Sequence, residues 1–368
     1  MDCKGPQLVV VFVDALPWSS LPEMPFLRSM PYSGPMRPGF GYSINVKAEL
    51  FAGLTPDDLG MLCEWMPTDN GSRHGWLKIG SMLPRNSIFD RLAHRVASKV
   101  MGAHTFMIPM DVLPMFKPVG SVPYSDYFTR DTVLRDPKVE IVRYSDLPAV
   151  QSRDKELFRI ASERIVASRK PVLFVASADL DHVTHAYGIG SREHRDKVLE
   201  IDRLLAGLHA ALSGVVDTPK MLVVSDHGMA NVNGTVELRL DRAAGRQSKD
   251  RYLYFLDATL ARIWIGDPSL EEPIAGLIYD TPGIKLLDHS ERVKLGIASA
   301  SLGDMIALAD EGLVFHPSYV SRIPPAAMHG YHPDLASQRG LVVSDFASGL
   351  PNTTLGFHKL LHRTVSGI

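Results

Sequence analysis

The stretch Leu8-Val-Val-Val-Phe-Val-Asp14 decides the fold class of this chain. Its apolar residues, mostly β-branched, follow one another without alternation and stop at an aspartate. A strand that is buried on both faces of a parallel sheet has this pattern, whereas a half-exposed strand alternates apolar and polar residues. The stretch therefore predicts a central strand of a parallel sheet, with a carboxylate at its carboxyl end.

Two further stretches repeat this pattern. Val172-Leu-Phe-Val-Ala-Ser-Ala-Asp179 and Met221-Leu-Val-Val-Ser-Asp226 are again apolar runs that end at an aspartate. Apolar residues at helical spacing lie between them, over 155–168 and 191–212. Strands that alternate with helices predict an α/β doubly wound domain, in which ligands gather beyond the carboxyl ends of the strands. We therefore expect the three aspartates to face one crevice.

The composition excludes several classes of protein. The 368 residues include 39 Lys plus Arg and 41 Asp plus Glu, so the formal net charge is −2. Proteins that bind nucleic-acid polymers or anionic membranes usually carry a basic excess, so we expect neither partner. The two cysteines, Cys3 and Cys63, cannot form a disulfide framework or a Cys-rich zinc module.

The apolar runs are also too short for targeting. The first is shorter than a secretory signal core, and no run reaches the roughly 18–20 apolar residues that span a bilayer. The sequence therefore predicts a cytoplasmic protein, and it leaves open whether that protein is a monomer or a homodimer.

Residues 61–150 differ from the rest of the chain. They are rich in Met, Pro, Trp and Gly, and helical periodicity is convincing only near 88–100. Length alone suggests two domains. Because the three apolar runs are widely separated, we instead predict a single domain over 1–368, in which 61–150 is an inserted cap that sets substrate specificity.

Histidines accompany the strand-end aspartates. The segment Asp181-His-Val-Thr-His185 places two ligand-type side chains one helical turn apart, on one face of a helix. Asp226 and His227 are adjacent after a strand, and His329 lies in a loop with nearby Gly and Pro. Carboxylates and neutral imidazoles suit Zn²⁺, and Mn²⁺ less tightly. These residues predict a site for divalent metal ions.

Three further residues flank the predicted ligands. Asp179 ends its predicted strand, while His182 and His332 lie within a few residues of predicted ligands. Each could orient a metal ligand through a hydrogen bond, or could have only a structural role.

One serine lies at a predicted helix start. It belongs to the segment Gly41-Tyr-Ser43-Ile-Asn45-Val-Lys47, which is followed by Gly53-Leu-Thr-Pro56. A serine hydroxyl at this place lies at the positive end of the helix dipole, beside unpaired backbone N–H groups. An ordinary helix-capping serine is the alternative.

Taken in order, these motifs resemble the alkaline phosphatase superfamily, nearest its type I phosphodiesterase/nucleotide pyrophosphatase branch. The matching segments are Phe12-Val-Asp14, the Ser43 segment through Pro56, Asp181-x-x-x-His185-Ala-Tyr-Gly188, Ser225-Asp-His-Gly-Met229 and His329-Gly-Tyr331. They lie between residue 8 and about residue 346. The resemblance implies a three-layer α/β/α core with a mostly parallel central sheet.

The resemblance also implies a ligand set for two zinc ions. Asp14, Asp226 and His227 would hold one ion together with the nucleophile oxygen. Asp181, His185 and His329 would hold the other. In the family the nucleophile lies ten residues before the Gly of the Gly-Leu-x-Pro turn, which is Gly53 here, and this assigns Ser43. Ser43 would attack phosphorus in line and form a phosphoseryl intermediate, which water then releases.

The chain departs from the family beside the nucleophile. Nucleotide pyrophosphatases commonly have an Asn three residues after it, where this chain has Val46. Asn45 or Lys47 could contact the non-bridging phosphoryl oxygens instead. Lys47, as a point charge, would favour a more anionic substrate.

The predicted activity is hydrolysis of a phosphodiester or a nucleotide pyrophosphate-type bond in a small molecule. A phosphotransferase, a phosphomonoesterase or a phosphonate hydrolase could use the same residues. A sulfatase-like hydrolase is disfavoured, because the segment after Ser43 lacks the Pro and Arg of the sulfatase motif. A non-catalytic metal-binding module is also disfavoured, since neither the nucleophile nor any ligand is missing.

Overall fold

The computed structural model describes residues 5–68, 88–101, 105, 107–119, 132–147 and 152–368. The strands are β1 Leu8–Val13, β2 Tyr32–Met36, β3 Trp65–Pro67, β4 Phe116–Pro118, β5 Val139–Arg143, β6 Val172–Ser177, β7 Lys220–Val224, β8 Ala230–Asn231, β9 Gly234–Val236, β10 Tyr252–Leu256, β11 Leu260–Ile265, β12 Ile284–Leu286, β13 Met305–Ala309, β14 Leu313–Phe315, β15 Ala327–Met328 and β16 Gly340–Ser344. The α-helices are α1 Pro25–Ser29, α2 Ser43–Ala52, α3 Pro56–Leu59, α4 Ile88–Met101, α5 Arg153–Ala167, α6 Asp179–Tyr187, α7 Arg192–Ser213, α8 Leu240–Ala244, α9 Glu271–Tyr279, α10 His289–Leu295 and α11 Thr354–Ser366.

A six-stranded sheet in the order β2-β16-β7-β1-β6-β5 forms the centre of the molecule. β1 pairs in parallel with β6 on one side and with β7 on the other. β5 is also parallel to β6, whereas β16 runs antiparallel to both β7 and β2. The three apolar runs are therefore adjacent central strands, and the predicted mostly parallel sheet is confirmed.

Helices cover both faces of this sheet. The odd-numbered residues of β1 pack with apolar residues of α5 and α7 on one face. The even-numbered residues pack with α2 and α11 on the other. Every residue of β1 is buried, which explains why its sequence has no polar alternation. The predicted three-layer α/β/α architecture is confirmed.

A second, four-stranded sheet has the order β10-β11-β13-β12 and is antiparallel throughout. The sequence predicted one strand here, at 260–265, and β11 has those bounds. The other three strands were not predicted, although β10 and β13 are apolar throughout; β12 has only three residues, with Lys285 at its centre. β10 and β13 pair with β11, β12 pairs with β13, and a separate apolar core buries side chains of this sheet.

The boundary of the predicted insertion, 61–150, is wrong at its carboxyl end. Val139–Arg143 is β5, the edge strand of the central sheet, held by parallel pairing with β6. Earlier in this range, β3 pairs antiparallel with β4, and α4 confirms the predicted helix. The role of residues 61–150 in substrate specificity stays a prediction. Within this range, the parts outside the described residues are 69–87, 102–104, 106, 120–131 and 148–150.

None of the helices in the described part of the chain has the length and apolar character that crossing a bilayer requires.

Candidate active site

Three aspartates meet at the carboxyl edge of the central sheet. Asp14 directly follows β1, and Asp226 lies two residues after β7. Asp181 lies in the first turn of α6, which begins after β6. Because β6, β1 and β7 are parallel neighbours, their carboxyl ends share one edge. The fold therefore brings together residues that are up to about 210 positions apart, as the sequence predicted for Asp14 and Asp226. The strand-end pattern indicated Asp179 as the third aspartate, but Asp179 pairs with Lys197, and Asp181, two residues later, lies at the site.

The first cluster consists of Asp14, Asp226 and His227. His227 Nε2 lies 3.7 Å from Asp14 Oδ1 and 3.4 Å from Asp226 Oδ2. One ligand atom from each of the three residues lies within 4.8 Å of the others, which is a spacing that can hold a metal ion. All three side chains are buried, so little bulk water competes for these atoms.

Backbone groups fix the orientation of this cluster. His227 Nδ1 lies 3.0 Å from the carbonyl oxygen of Gly228 and donates to it, which leaves Nε2 as an acceptor. Asp226 Oδ1 accepts from the backbone N–H groups of Ala15 and His227, each at 3.1 Å. The second oxygen of Asp226 is therefore the one that faces the cluster.

The second cluster contains Asp181, His185 and His329. His185 Nε2 lies 3.4 Å and His329 Nε2 lies 4.0 Å from Asp181 Oδ1. His185 Nδ1 donates to the carbonyl oxygen of Ala327 at 2.9 Å, so its Nε2 points toward Asp181. These contacts bring together the three residues that the resemblance implied.

The two clusters adjoin through stacked imidazole rings. The ring centroids of His227 and His329 are 3.9 Å apart, with 14° between the planes. Next to the second cluster, the three residues whose ligand atoms all lie within 4.8 Å of one another are Asp181, His227 and His329. His185 lies beside this group. His227 thus lies between both sets of candidate ligands.

Several polar atoms at these clusters are buried without a hydrogen-bond partner among the described residues. They are Asp14 Oδ1 and Asp226 Oδ2 in the first cluster, and Asp181 Oδ1 and His329 Nδ1 in the second. A buried carboxylate oxygen without a partner is costly, and such atoms are normally satisfied. A divalent cation would satisfy the two carboxylate oxygens of the first cluster, so the first cluster fits a metal site.

The electrostatic environment differs between the clusters. Burial, reinforced by the neighbouring Asp226, raises the pKa of Asp14 well above its usual value. At Asp181 burial acts in the same direction, but His185 and the other imidazoles outweigh it and lower the pKa. Burial and the neighbouring His227 lower the pKa of His329 far below its usual value, which keeps that imidazole neutral, as a metal ligand must be.

Ser43 is the first residue of α2, and its hydroxyl faces the first cluster. Its Oγ lies 2.8 Å from His227 Nε2 and donates to that acceptor nitrogen. The capping position itself belongs to Tyr42, and no side chain caps this helix. Ser43 is therefore not an ordinary capping serine, and its hydroxyl is directed at the candidate metal ligands.

The two predicted substrate contacts have different surroundings. Asn45 is buried, donates from Nδ2 to Met61 O and accepts from Cys63 N, both at 3.0 Å. Both ends of its amide are thus used to hold the loop that follows α3, and the predicted contact with substrate is not supported. Lys47 Nζ lies 2.6 Å from Asp14 Oδ2, inside the first cluster.

The three flanking residues have their polar and ring contacts away from the candidate ligands. Asp179 Oδ2 accepts from Lys197 Nζ and from the backbone N–H of Asp154, both at 3.2 Å. His182 is exposed and lies beside the Tyr144 ring. A separate ion pair joins His332 Nε2 to Glu291 Oε1 at 3.2 Å. These contacts indicate structural roles and not direct support of the ligands.

A pair of residues that no sequence motif indicated, Tyr42 and Thr259, supports His329. The Tyr42 hydroxyl lies 2.9 Å from Thr259 Oγ1 and accepts from Thr259 N at 2.8 Å. Thr259 Oγ1 in turn donates to the carbonyl oxygen of Gly330 at 2.9 Å. The Tyr42 ring packs edge-on against His329, with centroids 5.6 Å apart. Thr259 lies between β10 and β11, where no motif marks it.

A serine hydroxyl beside two adjoining groups of carboxylates and imidazoles, at the carboxyl edge of a mostly parallel sheet, defines an α/β enzyme that acts on phosphate esters. The family model of type I phosphodiesterase/nucleotide pyrophosphatase matches residues 8–332, and this chain belongs to that family.

Solved structures of similar fold include human ectonucleotide pyrophosphatase/phosphodiesterase 5, at 15% identity and a TM-score of 0.61. The murine protein of the same name matches at 18% identity and a TM-score of 0.62. An inactive form of that murine protein, in complex with AMP, matches at 17% identity and a TM-score of 0.61. Each match covers 98% of this chain and 95% of the other. Comparison with curated protein sequences gives no match.

Proposed function

We propose that this enzyme cleaves a phosphodiester or a nucleotide pyrophosphate-type bond in a small molecule, by in-line attack of Ser43 at a site for two divalent metal ions. The observation that carries the proposal is the position of the Ser43 hydroxyl, 2.8 Å from His227 Nε2. Asp14 Oδ1 and Asp226 Oδ2, both without hydrogen-bond partners among the described residues, lie beside the same nitrogen.

The ligand sets follow from the two clusters. Asp14, Asp226 and His227, with the Ser43 oxygen, would hold the first ion. The second set is Asp181, His185 and His329. Oxygen and imidazole donors favour Zn²⁺, with Mn²⁺ as the alternative. Such ions lower the pKa of a coordinated hydroxyl and neutralise charge that develops on phosphoryl oxygens.

The protein groups contribute orientation and charge. Ser43 begins a ten-residue helix, so the positive end of the helix dipole faces the place where a phosphoryl group would lie. The 2.8 Å approach of Ser43 Oγ to His227 Nε2 brings two candidate ligand atoms together, and a metal ion bound to both would replace the hydrogen bond between them. Attack on phosphorus by Ser43 would form a phosphoseryl intermediate and expel the leaving alcohol or phosphate. Water would then release the phosphoryl group.

The AMP bound to the murine relative supports a nucleotide-type substrate or product for this chain as well. A phosphotransferase, which transfers the phosphoryl group to another alcohol, would use the same residues. The cytoplasmic location of the protein stays a prediction.

Replacement of Ser43 tests the nucleophile. We expect Ser43→Ala to abolish turnover of a chromogenic aryl phosphodiester, because alanine lacks the oxygen that attacks phosphorus. Metal content, measured by atomic emission, should remain near two ions per chain. Ser33→Ala, at an exposed serine in the edge strand β2, is the matched control and should retain activity.

Three results would contradict the proposal. Full activity of Ser43→Ala would exclude Ser43 as the nucleophile. A protein that binds no divalent metal and is insensitive to chelators would exclude the two-metal mechanism. A panel of aryl diesters, monoesters, sulfates and nucleotide sugars, assayed with Zn²⁺ and with Mn²⁺, would reject the substrate class if only sulfates or only monoesters were cleaved.

A further inference from the structure

Lys47 lies inside the first cluster of candidate metal ligands. One helical turn after Ser43, its ammonium lies 2.6 Å from Asp14 Oδ2 and 3.9 Å from Asp226 Oδ2. Its side chain is 15% exposed. In the part of the chain that the structure describes, no other Lys or Arg forms an ion pair with either carboxylate. Lys47 is thus the cation that neutralises this pair of buried acids.

The packing holds the ammonium in this position. Lys47 Nζ lies 5.4 Å from the centroid of the Phe12 ring, and Phe12 is fully buried in β1. A cation over an aromatic face is attracted by the ring. The ion pair joins a helix to the neighbouring strand end, so Lys47 is a fixed part of the site and not a solvated surface lysine.

The two oxygens of Asp14 have different surroundings. Oδ2 accepts from Lys47, while Oδ1 has no hydrogen-bond partner among the described residues and lies 3.7 Å from His227 Nε2. A divalent ion could therefore bind through Oδ1 while the ammonium stays on Oδ2. In that case the ammonium of Lys47 already neutralises one of the two negative charges that the carboxylates offer to the ion.

We propose that Lys47 is an internal counter-cation that stabilises the metal-free first site and weakens its affinity for a divalent ion. The ammonium offsets the repulsion between Asp14 and Asp226 when no metal is present. It repels a divalent ion that binds to the same carboxylates. Lys47 thereby raises the concentration of metal at which the first site fills. Its ion pairs are with the two carboxylates of the first site, so we expect a weaker effect at the second site, which is built around one carboxylate. The inference rests on the proposed two-metal site.

Lys47→Met tests this inference, because it keeps an unbranched apolar stem and removes the charge. Metal-free protein is titrated with Zn²⁺ in competition with a chromophoric chelator. The variant removes the repulsion between the Lys47 ammonium and the metal ion. Because like charges about 4 Å apart near a protein surface repel each other strongly, we expect the Zn²⁺ affinity of the first site to rise at least about tenfold. The unfolding temperature of the metal-free variant should fall below that of the wild type, and saturating Zn²⁺ should narrow this difference.

Further variants assign the effect to the first site. Asp226→Asn removes a first-site carboxylate, so the affinity that survives in this variant belongs to the second site. Adding Lys47→Met to Asp226→Asn should then change Zn²⁺ affinity by less than about threefold. Lys197→Met is the matched control, since Lys197 also pairs with carboxylates, Asp179 and Glu200, but not with the predicted ligands. It should lower stability and leave Zn²⁺ affinity unchanged.

The outcomes separate this inference from the proposed function. If wild type and Lys47→Met bind two Zn²⁺ ions with equal affinity, or the variant binds more weakly, Lys47 is not a competing cation and only this inference fails. If neither protein binds Zn²⁺, the proposed two-metal function fails and the inference fails with it. An equal gain in affinity in the Asp226→Asn background would place the effect outside the first site and would also overturn the inference.

Discussion

At the scale of single residues, burial determines the state of each polar group. His227 Nε2 is an acceptor because Nδ1–H donates a hydrogen bond to Gly228 O. His329 stays neutral because burial lowers its pKa. The residue types were evident in the sequence. The tautomer of His227 depends on the adjacent Gly228, whereas the pKa shift of His329 depends on burial and on His227, which is distant along the chain.

A histidine outside the site gives a prediction about pH. His194 in α7 is 4% exposed, and neither ring nitrogen has a hydrogen-bond partner among the described residues. Burial lowers its pKa. Because the unfolded chain then binds a proton more readily than the folded one, the stability that a neutral His194 provides is lost as the pH falls below about 6.5.

The variant His194→Leu removes this proton uptake. We expect its free energy of unfolding to fall less than that of the wild type between pH 7.5 and pH 5.5, as measured by urea denaturation. Other groups also titrate in this range, so the comparison between the two proteins is the relevant quantity. Parallel curves for both would show that His194 does not contribute to acid destabilisation.

At the scale of elements, the start of α2 is held by groups that the sequence did not connect. The amide of Asn45 links the first turn to the loop at Met61 and Cys63. At Gly41, where φ is +111°, a Cβ would lie 2.8 Å from Asn45 Oδ1, so a larger residue would disturb this amide. The orientation of Ser43 therefore depends on a turn and a loop on either side of it.

The isosteric variant Asn45→Asp tests the structural role of this amide. A carboxylate can still accept from Cys63 N, but it cannot donate to Met61 O and would oppose that carbonyl. We expect a loss of about 1–3 kcal/mol in the free energy of unfolding, measured in urea. Asn352→Asp, at an exposed asparagine, is the control and should change stability by less than about 0.5 kcal/mol. Wild-type stability of Asn45→Asp would show that the amide does not hold the loop.

At the scale of the whole molecule, the site depends on contacts between the middle and the end of the chain. Gly228 N donates to Gln338 O at 2.9 Å, directly after the candidate ligands Asp226 and His227. The same segment leads into β16, whose antiparallel pairing with β7 places it there. The loop that carries two candidate ligands is thus packed against residues more than 100 positions later.

Gly228→Ala tests this close approach. A Cβ at residue 228 would lie against the backbone carbonyl oxygens of Ser337 and Arg339, which cannot move as a flexible side chain can. We expect a loss of about 1–3 kcal/mol in stability, with weaker Zn²⁺ binding because the ligand loop shifts. Gly207→Ala is the control: it lies within α7 with open space at the Cβ position, and it should gain up to about 1 kcal/mol. Unchanged stability and Zn²⁺ affinity in Gly228→Ala would contradict the argument.

The sequence by itself determined the central strands, the fold class and the residue types of the site. A strand that is buried on both faces must be apolar at successive positions, so β1, β6 and β7 were visible without a structure. Parallel neighbours end at one edge, and the common position of Asp14 and Asp226 follows from that rule. The same rule indicated Asp179 after β6, whereas Asp181 in the first turn of α6 is the residue at the site.

Only the tertiary structure decided where each neighbouring side chain points. Asn45 and Lys47 are two positions apart on one helix, yet one holds a loop and the other pairs with Asp14. The antiparallel sheet, the edge strand β5 and the Tyr42–Thr259 pair likewise depend on partners far away in sequence. Burial and hydrogen bonding are fixed by such long-range partners, and local sequence patterns carry no information about which partner is present.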